Sequence, residues 1–141
     1  MHRMKENRMC AFFGGNNNVK NIESKIQKAC VMWFRAQYRE IEPLFFAVPN
    51  GGARNPWTAK IMRDEGVRAG VADLILLVPR HGYHALAVEM KAPKGVQHDS
   101  QKTFEKLCGE NGTLYRVCRS FDEFKKLVET YLNCESWPKD L

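Results

Sequence analysis

The chain has 141 residues, of which 44% are hydrophobic and 11% aromatic, a composition that excludes a disordered protein and suits a single folded domain. The 22 Lys and Arg residues outnumber the 16 Asp and Glu residues, and the net charge of +6 favours a polyanionic partner such as nucleic acid. Apolar runs are too short for a membrane span or a signal peptide, and five cysteines without zinc-site spacing indicate a reduced, cytoplasmic protein.

The domain organisation follows from composition along the chain, which shows no internal repeat and no interior linker. A Gly/Asn-rich segment predicts a flexible lead-in over residues 1–18, followed by one domain over residues 19–133 and a loose tail over residues 134–141. Within the domain, apolar residues at helical spacing predict a first helix from Ile22 to Tyr38, capped by Asn21.

Two polar residues of this helix are candidates for a site. Glu23 and Gln27 lie one turn apart beside the apolar stripe, so both can face the edge of a sheet. Periodicity alone favours ordinary solvated positions for the pair. Their assignment therefore depends on evidence from the rest of the chain.

A loop of turn-forming residues follows a short strand predicted over Leu44–Val48. Glycines in such a loop let a phosphate approach backbone amides, although an ordinary turn explains the same residues and is favoured by pattern alone. A short helix is then predicted from Asn55 to Glu65, ended by Gly66. The candidate substrate-binding residues of this region are Asn50, Gly51, Gly52, Arg54, Lys60 and Arg68.

The next two strands carry charges that a buried sheet does not tolerate alone. Residues 72–78 and 83–91 are apolar at odd and even positions, which is typical of strands covered on both faces. The segment between them predicts a hairpin with a three-residue loop and Gly82 at the left-handed position. Paired residue numbers then sum to about 162, which places Asp73 opposite Glu89 and Lys91 on the same face.

This cluster has the chemistry of a phosphodiester-cleaving site. Asp73 and Glu89 can share one Mg²⁺, which prefers oxygen ligands, and Lys91 is placed to orient an attacking water or to offset developing charge. A surface ion pair is the commoner explanation of such residues. The apolar residues around the three charges argue for burial and against a solvated pair.

The remainder of the chain predicts two helices and a strand. A helix begins at Asp99, with Phe104, Leu107 and Cys108 facing inward, and the strand Thr113–Cys118 follows it. A capping box then starts the last helix, whose apolar side consists of Phe124, Leu127, Val128, Tyr131 and Leu132. This order of elements predicts an α/β fold with a small mixed sheet flanked by helices on both faces.

Four ordered motifs resemble the VRR-NUC nucleases, a family of the PD-(D/E)XK superfamily. They are Pro49–Arg54, Gly70–Leu74, Val88–Lys91 and Ser100-Gln101, and the resemblance extends over about Glu23 to Leu132. It implies a restriction-endonuclease-like αβββαβ core. Ala72 stands where the superfamily name has Pro, at a position whose side chain carries no chemistry.

The resemblance also implies an activity, the Mg²⁺- or Mn²⁺-dependent hydrolysis of DNA. Asp73, Glu89, the Met90 carbonyl and Glu23 correspond to metal-binding positions, and Lys91 corresponds to the residue that serves the attacking water. Gln101 and Gln27 correspond to polar positions lining the same site, and Arg54 with its preceding glycines corresponds to the loop beside it.

Small stand-alone members of the family resemble Holliday-junction resolvases and often act as homodimers, because symmetric cutting of branched DNA needs two sites. The leading hypothesis is therefore a dimeric junction or flap endonuclease of DNA repair, located in the host cytoplasm if a phage or another mobile element encodes it. Two alternatives are a catalytically silent nucleic-acid-binding module with the same fold and a restriction-type endonuclease, for which little spare chain is present.

Overall fold

The computed structural model describes residues 15–49 and 55–140, and in these ranges it contains four strands and four α-helices. In chain order they are α1 (Gly15–Gln37), β1 (Phe45–Ala47), α2 (Pro56–Asp64), β2 (Leu74–Leu76), β3 (Ala85–Met90), α3 (Asp99–Glu110), β4 (Thr113–Cys118) and α4 (Phe121–Asn133). The strands form one mixed sheet in the order β1-β2-β3-β4, antiparallel except for the parallel pair β3–β4. The predicted α/β class and αβββαβ core are confirmed.

Helices cover the two faces of the sheet with different side chains. On one face α1 and α4 bury the main core, in which Phe34, Phe45, Phe124 and Tyr131 are the largest side chains. On the other face α3 packs on β4 around a smaller cluster that includes Cys108 and Tyr115. β3 is buried at every position because it lies between both layers.

The hairpin between β2 and β3 has the predicted register but a different turn. The paired residues Leu74–Val88, Ile75–Ala87 and Leu76–Leu86 all sum to 162, as predicted. The predicted three-residue loop is wrong, because Arg80 and Tyr83 exchange two backbone hydrogen bonds around a two-residue loop. Both loop residues, His81 and Gly82, have positive φ angles, as a two-residue turn of this kind requires. One extra residue on the β2 side, between Leu76 and Arg80, compensates for the shorter loop.

Helix boundaries follow the capping residues except at the start of α1. This helix begins seven residues before the predicted Ile22, so Asn21 lies inside it and does not cap it. The predicted cap of α2 is confirmed, since the Asn55 side chain accepts a hydrogen bond from Trp57 N at 2.9 Å. Leu107 was predicted to face inward, but it is half exposed on α3. Its outward position leaves Phe104 and Cys108 as the inward residues of that helix.

The chain after α4 contacts the body of the protein, although the sequence predicts a loose tail there. Trp137 packs against the main core, and its ring lies 5.6 Å from the Arg116 guanidinium and 5.6 Å from the His81 ring. His81 Nε2 also lies 2.9 Å from the Tyr131 carbonyl oxygen. Residues of a hairpin loop are usually solvated, but His81 is partly buried against the tail and α4.

Candidate active site

The candidate site lies where β3 ends and β2 begins. Continuing the register of the hairpin by one residue from Leu74–Val88 brings Asp73 opposite Glu89. The two residues belong to the sheet face that α3 covers, which also carries Ala87. Asp73 Oδ2 accepts a 2.7 Å hydrogen bond from Met90 N, so this carboxylate bridges the two strands. The predicted convergence of the two acids is therefore present in the fold.

Glu89 is the most deeply buried charge of the described residues. It is 1% exposed, and Lys91, two residues further along, is 7% exposed. Lys91 Nζ lies 3.3 Å from Glu89 Oε1, and Gln101 Nε2 donates to the same oxygen. The second oxygen, Oε2, is buried and has no hydrogen-bond partner among the described residues. A buried carboxylate oxygen without a partner is unfavourable unless it binds a proton or a cation.

The surroundings of Glu89 raise its pKa from the ordinary value of 4.5 to about 7. Burial is the main cause, because it removes the water that stabilises the charged form. The negative charges of Asp73 and Glu23 act in the same direction, and Lys91 opposes them. Such a combination of burial and like charges is characteristic of functional carboxylates.

Glu23 reaches the site from α1, on the opposite side of the sheet. Its Oε1 accepts a 3.0 Å hydrogen bond from Ala92 N, immediately beyond Lys91. Glu23, in the first half of α1, therefore contacts the chain two residues beyond the end of β3. This contact favours the site assignment of Glu23 over an ordinary solvated position. Gln27 lies one turn later and is half-buried, but within the described residues its side chain makes no hydrogen bond.

Gln101 has two partners that join the start of α3 to the site. Its Oε1 accepts a 2.8 Å hydrogen bond from His98 N, while its Nε2 donates to Glu89. The residue therefore caps its own helix and fixes the orientation of the Glu89 carboxylate. A side-chain amide suits this position because it offers an acceptor and a donor at the same time.

The carboxylates of the candidate site can hold a hard cation only if a backbone carbonyl or water completes the set of ligands. Within residues 15–49 and 55–140, no three His, Cys, Asp or Glu side chains converge closely enough to hold a metal on their own. Glu89 nevertheless has a buried oxygen without a partner, beside a second carboxylate at Asp73. Two carboxylates with a carbonyl and waters are a normal set for Mg²⁺.

The other predicted substrate-binding residues are less informative. Asn50, Gly51, Gly52 and Arg54 lie outside the described residues. Lys60 is exposed on α2 and forms an ion pair with Asp64 at 2.5 Å, so its charge is partly offset locally. Arg68 is exposed in the segment between α2 and β2.

Sequence reasoning missed the residues that support the segment from Ala92 to His98. Arg119 Nη1 donates to the carbonyls of Ala92 and Gly95, at 3.0 and 2.5 Å. Gln97 Nε2 donates to Glu105 at 3.0 Å and to the Tyr115 hydroxyl at 3.3 Å. The available signal was topological: residues that follow two parallel neighbouring strands lie at the same edge of the sheet.

Comparison with known families identifies this arrangement. The VRR-NUC domain model matches residues 21–122, a range that contains most of α1, all of α2 and α3, and all four strands. The chain belongs to the VRR-NUC domain family. A solved structure described as a VRR-NUC domain protein is similar to it, with a TM-score of 0.66 and 22% sequence identity over 82% of this chain and 92% of that one. A search of curated proteins found no match.

The VRR-NUC assignment places the acidic cluster in a nuclease-type fold. Asp73, Glu89, Lys91 and Gln101 all lie within the matched range, as does Glu23 at its beginning. No helix of the described residues has the length and apolar character needed to cross a membrane.

Proposed function

We propose that this VRR-NUC protein is an endonuclease that hydrolyses DNA phosphodiester bonds with Mg²⁺ or Mn²⁺. The observation that carries the proposal is the unpartnered Glu89 Oε2, buried beside Asp73 and Lys91 at the end of β3. Such a site gains stability from a cation and offers it two carboxylates, whereas a purely structural ion pair would have both oxygens satisfied. The family and the net charge of +6 agree with a polyanionic substrate.

Asp73, Glu89 and the Met90 carbonyl would hold the cation, with Glu23 beside them. A bound Mg²⁺ or Mn²⁺ supplies Lewis-acid polarisation of the phosphodiester and lowers the pKa of water. Gln101 keeps Glu89 Oε1 occupied, so that Oε2 is the oxygen presented to the site. The hydrogen bond from Met90 N to Asp73 Oδ2 holds the second carboxylate against β3.

Lys91 is the residue that would act directly on the attacking water. Its ammonium is held 3.3 Å from Glu89 Oε1 and is nearly excluded from solvent, so its position is well defined. The ammonium there donates a hydrogen bond to the oxygen of the attacking water and offsets the negative charge that develops on the phosphate. Because the ammonium need not reorganise during the reaction, this stabilisation exceeds what a surface lysine provides.

A cleavage assay on labelled duplex, flap and four-way DNA, with Mg²⁺, Mn²⁺ or EDTA, tests the proposal. Wild type should cut only with a divalent cation, and Asp73→Asn, Glu89→Gln and Lys91→Met should each lower the rate by at least about a hundredfold while retaining DNA binding. Glu110→Gln, an exposed acid at the end of α3, is the matched control and should cut normally. If all these proteins bind DNA alike and none cuts it, the protein is a silent binding module.

We infer further that the substrate is branched DNA and that two copies act together. Support comes from an exposed apolar strip, formed by Leu44, Phe46 and Leu77, on the sheet face that also carries Ile75. Phe46 lies in β1, Leu44 precedes β1 and Leu77 follows β2, and β1 is an edge strand of the described sheet. Contact between two such strips would therefore join two copies at a sheet edge. Two copies related by a two-fold axis can cut a four-way junction symmetrically.

Leu77→Glu tests the dimer, because it places a charge in the strip. The molar mass measured by light scattering should fall from dimer to monomer, and junction cleavage should fall more than duplex nicking. Leu107→Glu is a matched control, since both leucines are 50% exposed and Leu107 lies on α3. A wild-type monomer at working concentration would contradict the dimer and leave the nuclease proposal intact. A restriction-type enzyme would instead cut one duplex sequence and spare the junction arms.

A further inference from the structure

Arg119 is tied to the segment that follows Lys91 and has no assigned role in the chemistry. It is the first residue after β4, and its side chain is partly buried. Its Nη1 donates to two carbonyls, Ala92 O at 3.0 Å and Gly95 O at 2.5 Å. Gly95 N also donates to Ala92 O at 2.8 Å, so the guanidinium closes a turn from Ala92 to Gly95 from outside. Guanidinium groups suit this role because their donors have a fixed planar geometry.

The turn is connected to the site on its other side. Ala92 N donates to Glu23 Oε1, and Lys91 N donates to Cys118 O at 2.9 Å. Residues 91 and 92 are therefore held by α1, by the end of β4 and by the Arg119 side chain. Loss of any one contact leaves the others intact but gives the strand end freedom to move.

Close packing in the turn makes its geometry sensitive. A Cβ at Gly95 would lie 3.2 Å from Ala92 O, 3.3 Å from Ala92 N and 3.4 Å from Glu23 Oε1. The Glu23 carboxylate and the turn therefore fill adjacent space, and a shift of one displaces the other. Arg119 holds the turn in the position that this packing requires.

We propose that Arg119 is a positioning residue of the nuclease site, which acts by locking the Ala92–Gly95 turn and thereby the placement of Glu23 and Lys91. It touches neither substrate nor cation in this role. The inference rests on the proposed function, because its effect is a change in the cleavage step. Displacement of catalytic groups by about 1 Å can cost about a hundredfold in rate, so a contact remote from the reacting atoms can be decisive.

The test separates cleavage from DNA binding. Single-turnover rate constants at saturating protein and dissociation constants in EDTA are measured for wild type, Arg119→Ala and Arg119→Lys, with Arg80→Ala as the control. Arg80 also donates to a backbone carbonyl, Pro79 O at 2.8 Å, but at the other end of the hairpin. We expect Arg119→Ala to lower the rate constant about 10- to 100-fold and to change the dissociation constant less than about threefold. Arg119→Lys should recover part of the rate, and Arg80→Ala should match wild type.

Chemical rescue adds a readout that a general loss of stability does not give. Millimolar guanidinium should raise the rate of Arg119→Ala relative to sodium chloride at equal ionic strength, and it should not raise the rate of wild type or of Arg80→Ala. If Arg119→Ala fails to fold, Gly95→Ala perturbs the same turn without removing the arginine, and a slower rate at unchanged DNA affinity supports the proposal.

Three outcomes would overturn it. A wild-type rate in Arg119→Ala or, where that variant does not fold, in Gly95→Ala shows that the turn does not position the site. A raised dissociation constant with an unchanged rate at saturation shows that Arg119 contacts phosphate instead. Cleavage by wild type with either result leaves the proposed function standing, whereas absence of cleavage by wild type refutes the proposed function and this inference with it.

Discussion

Replacement of Glu89 by Gln should make the stability of the metal-free protein less dependent on pH. The pKa of Glu89 is about 7 in the folded protein, against an ordinary value of 4.5. The folded state therefore holds a proton at this residue in a pH range where the unfolded chain releases it. Below pH 4.5 both states are protonated and no stability is lost. As the pH rises from 4.5 through 7, the free energy of unfolding falls, and above this range the folded protein carries the full destabilisation of a buried charge.

The size of the effect follows from the two pKa values. A difference of one pKa unit corresponds to about 1.4 kcal/mol, so the interval from 4.5 to about 7 corresponds to about 3 kcal/mol. This is a sizeable part of the free energy of unfolding of an average domain, which is about 5–15 kcal/mol. Glu89 is 1% exposed, so solvent screening does not reduce the effect much.

Urea unfolding in EDTA at pH values from 4.5 to 8.5 measures the contribution of Glu89 to the pH dependence of stability. The free energy of unfolding of wild type minus that of Glu89→Gln should fall by up to about 3 kcal/mol across this range, because every other titrating group is common to both proteins. The difference isolates the pH dependence, so a constant offset from the altered contact with Lys91 does not affect it. Parallel curves for the two proteins would refute the reasoning. Addition of Mg²⁺ at pH 8 should stabilise wild type more than the variant, since a cation bound only to the folded state adds to its stability.

Two further predictions concern the residues that support the site. Gln101→Ala removes a hydrogen bond that orients Glu89, so we expect about a tenfold or greater loss of Mn²⁺ affinity by calorimetric titration, with DNA affinity in EDTA retained. Gly70→Ala should destabilise the protein by more than about 2 kcal/mol in urea unfolding, because Gly70 has a φ of +83° and a Cβ would lie 2.6 Å from Ser100 Cβ. Gly66→Ala is the control for backbone strain alone, since Gly66 has a φ of +100° but open space around it, and it should cost about 1 kcal/mol.

The pairing of Asp73 with Glu89 was predictable because side-chain periodicity and burial constrain it strongly. A shift of one residue between β2 and β3 would turn Leu74 and Leu76 away from the core, so the apolar pattern selects the register independently of the turn. This explains why the register is right although the predicted loop is wrong. The extra residue before Arg80 absorbs the difference, and nothing in the pattern of residues 77–79 indicates it.

Contacts between distant segments were not predictable from local patterns. Trp137 lies beyond the last amphipathic helix, and its packing on the core depends on a partner surface made by His81 and Arg116. Arg119 follows a strand in the sequence as an ordinary polar residue, and its two carbonyl partners are about 25 residues away. Periodicity describes which face of an element is buried, but it does not say which loop will lie across its end.

The mixed direction of the strands explains why the site assembles at this end of the sheet. Because β2 runs antiparallel to β3, the residue before β2, Asp73, lies beside the end of β3. Because β4 runs parallel to β3, the residue after β4, Arg119, emerges at the same end, and the crossover begins there with Gln101 in the first turn of α3. An antiparallel β4 would have sent Arg119 towards the hairpin loop, where it could not reach the turn after Lys91. The parallel pair thus brings a supporting residue to the acidic cluster, and the antiparallel pair supplies the second acid.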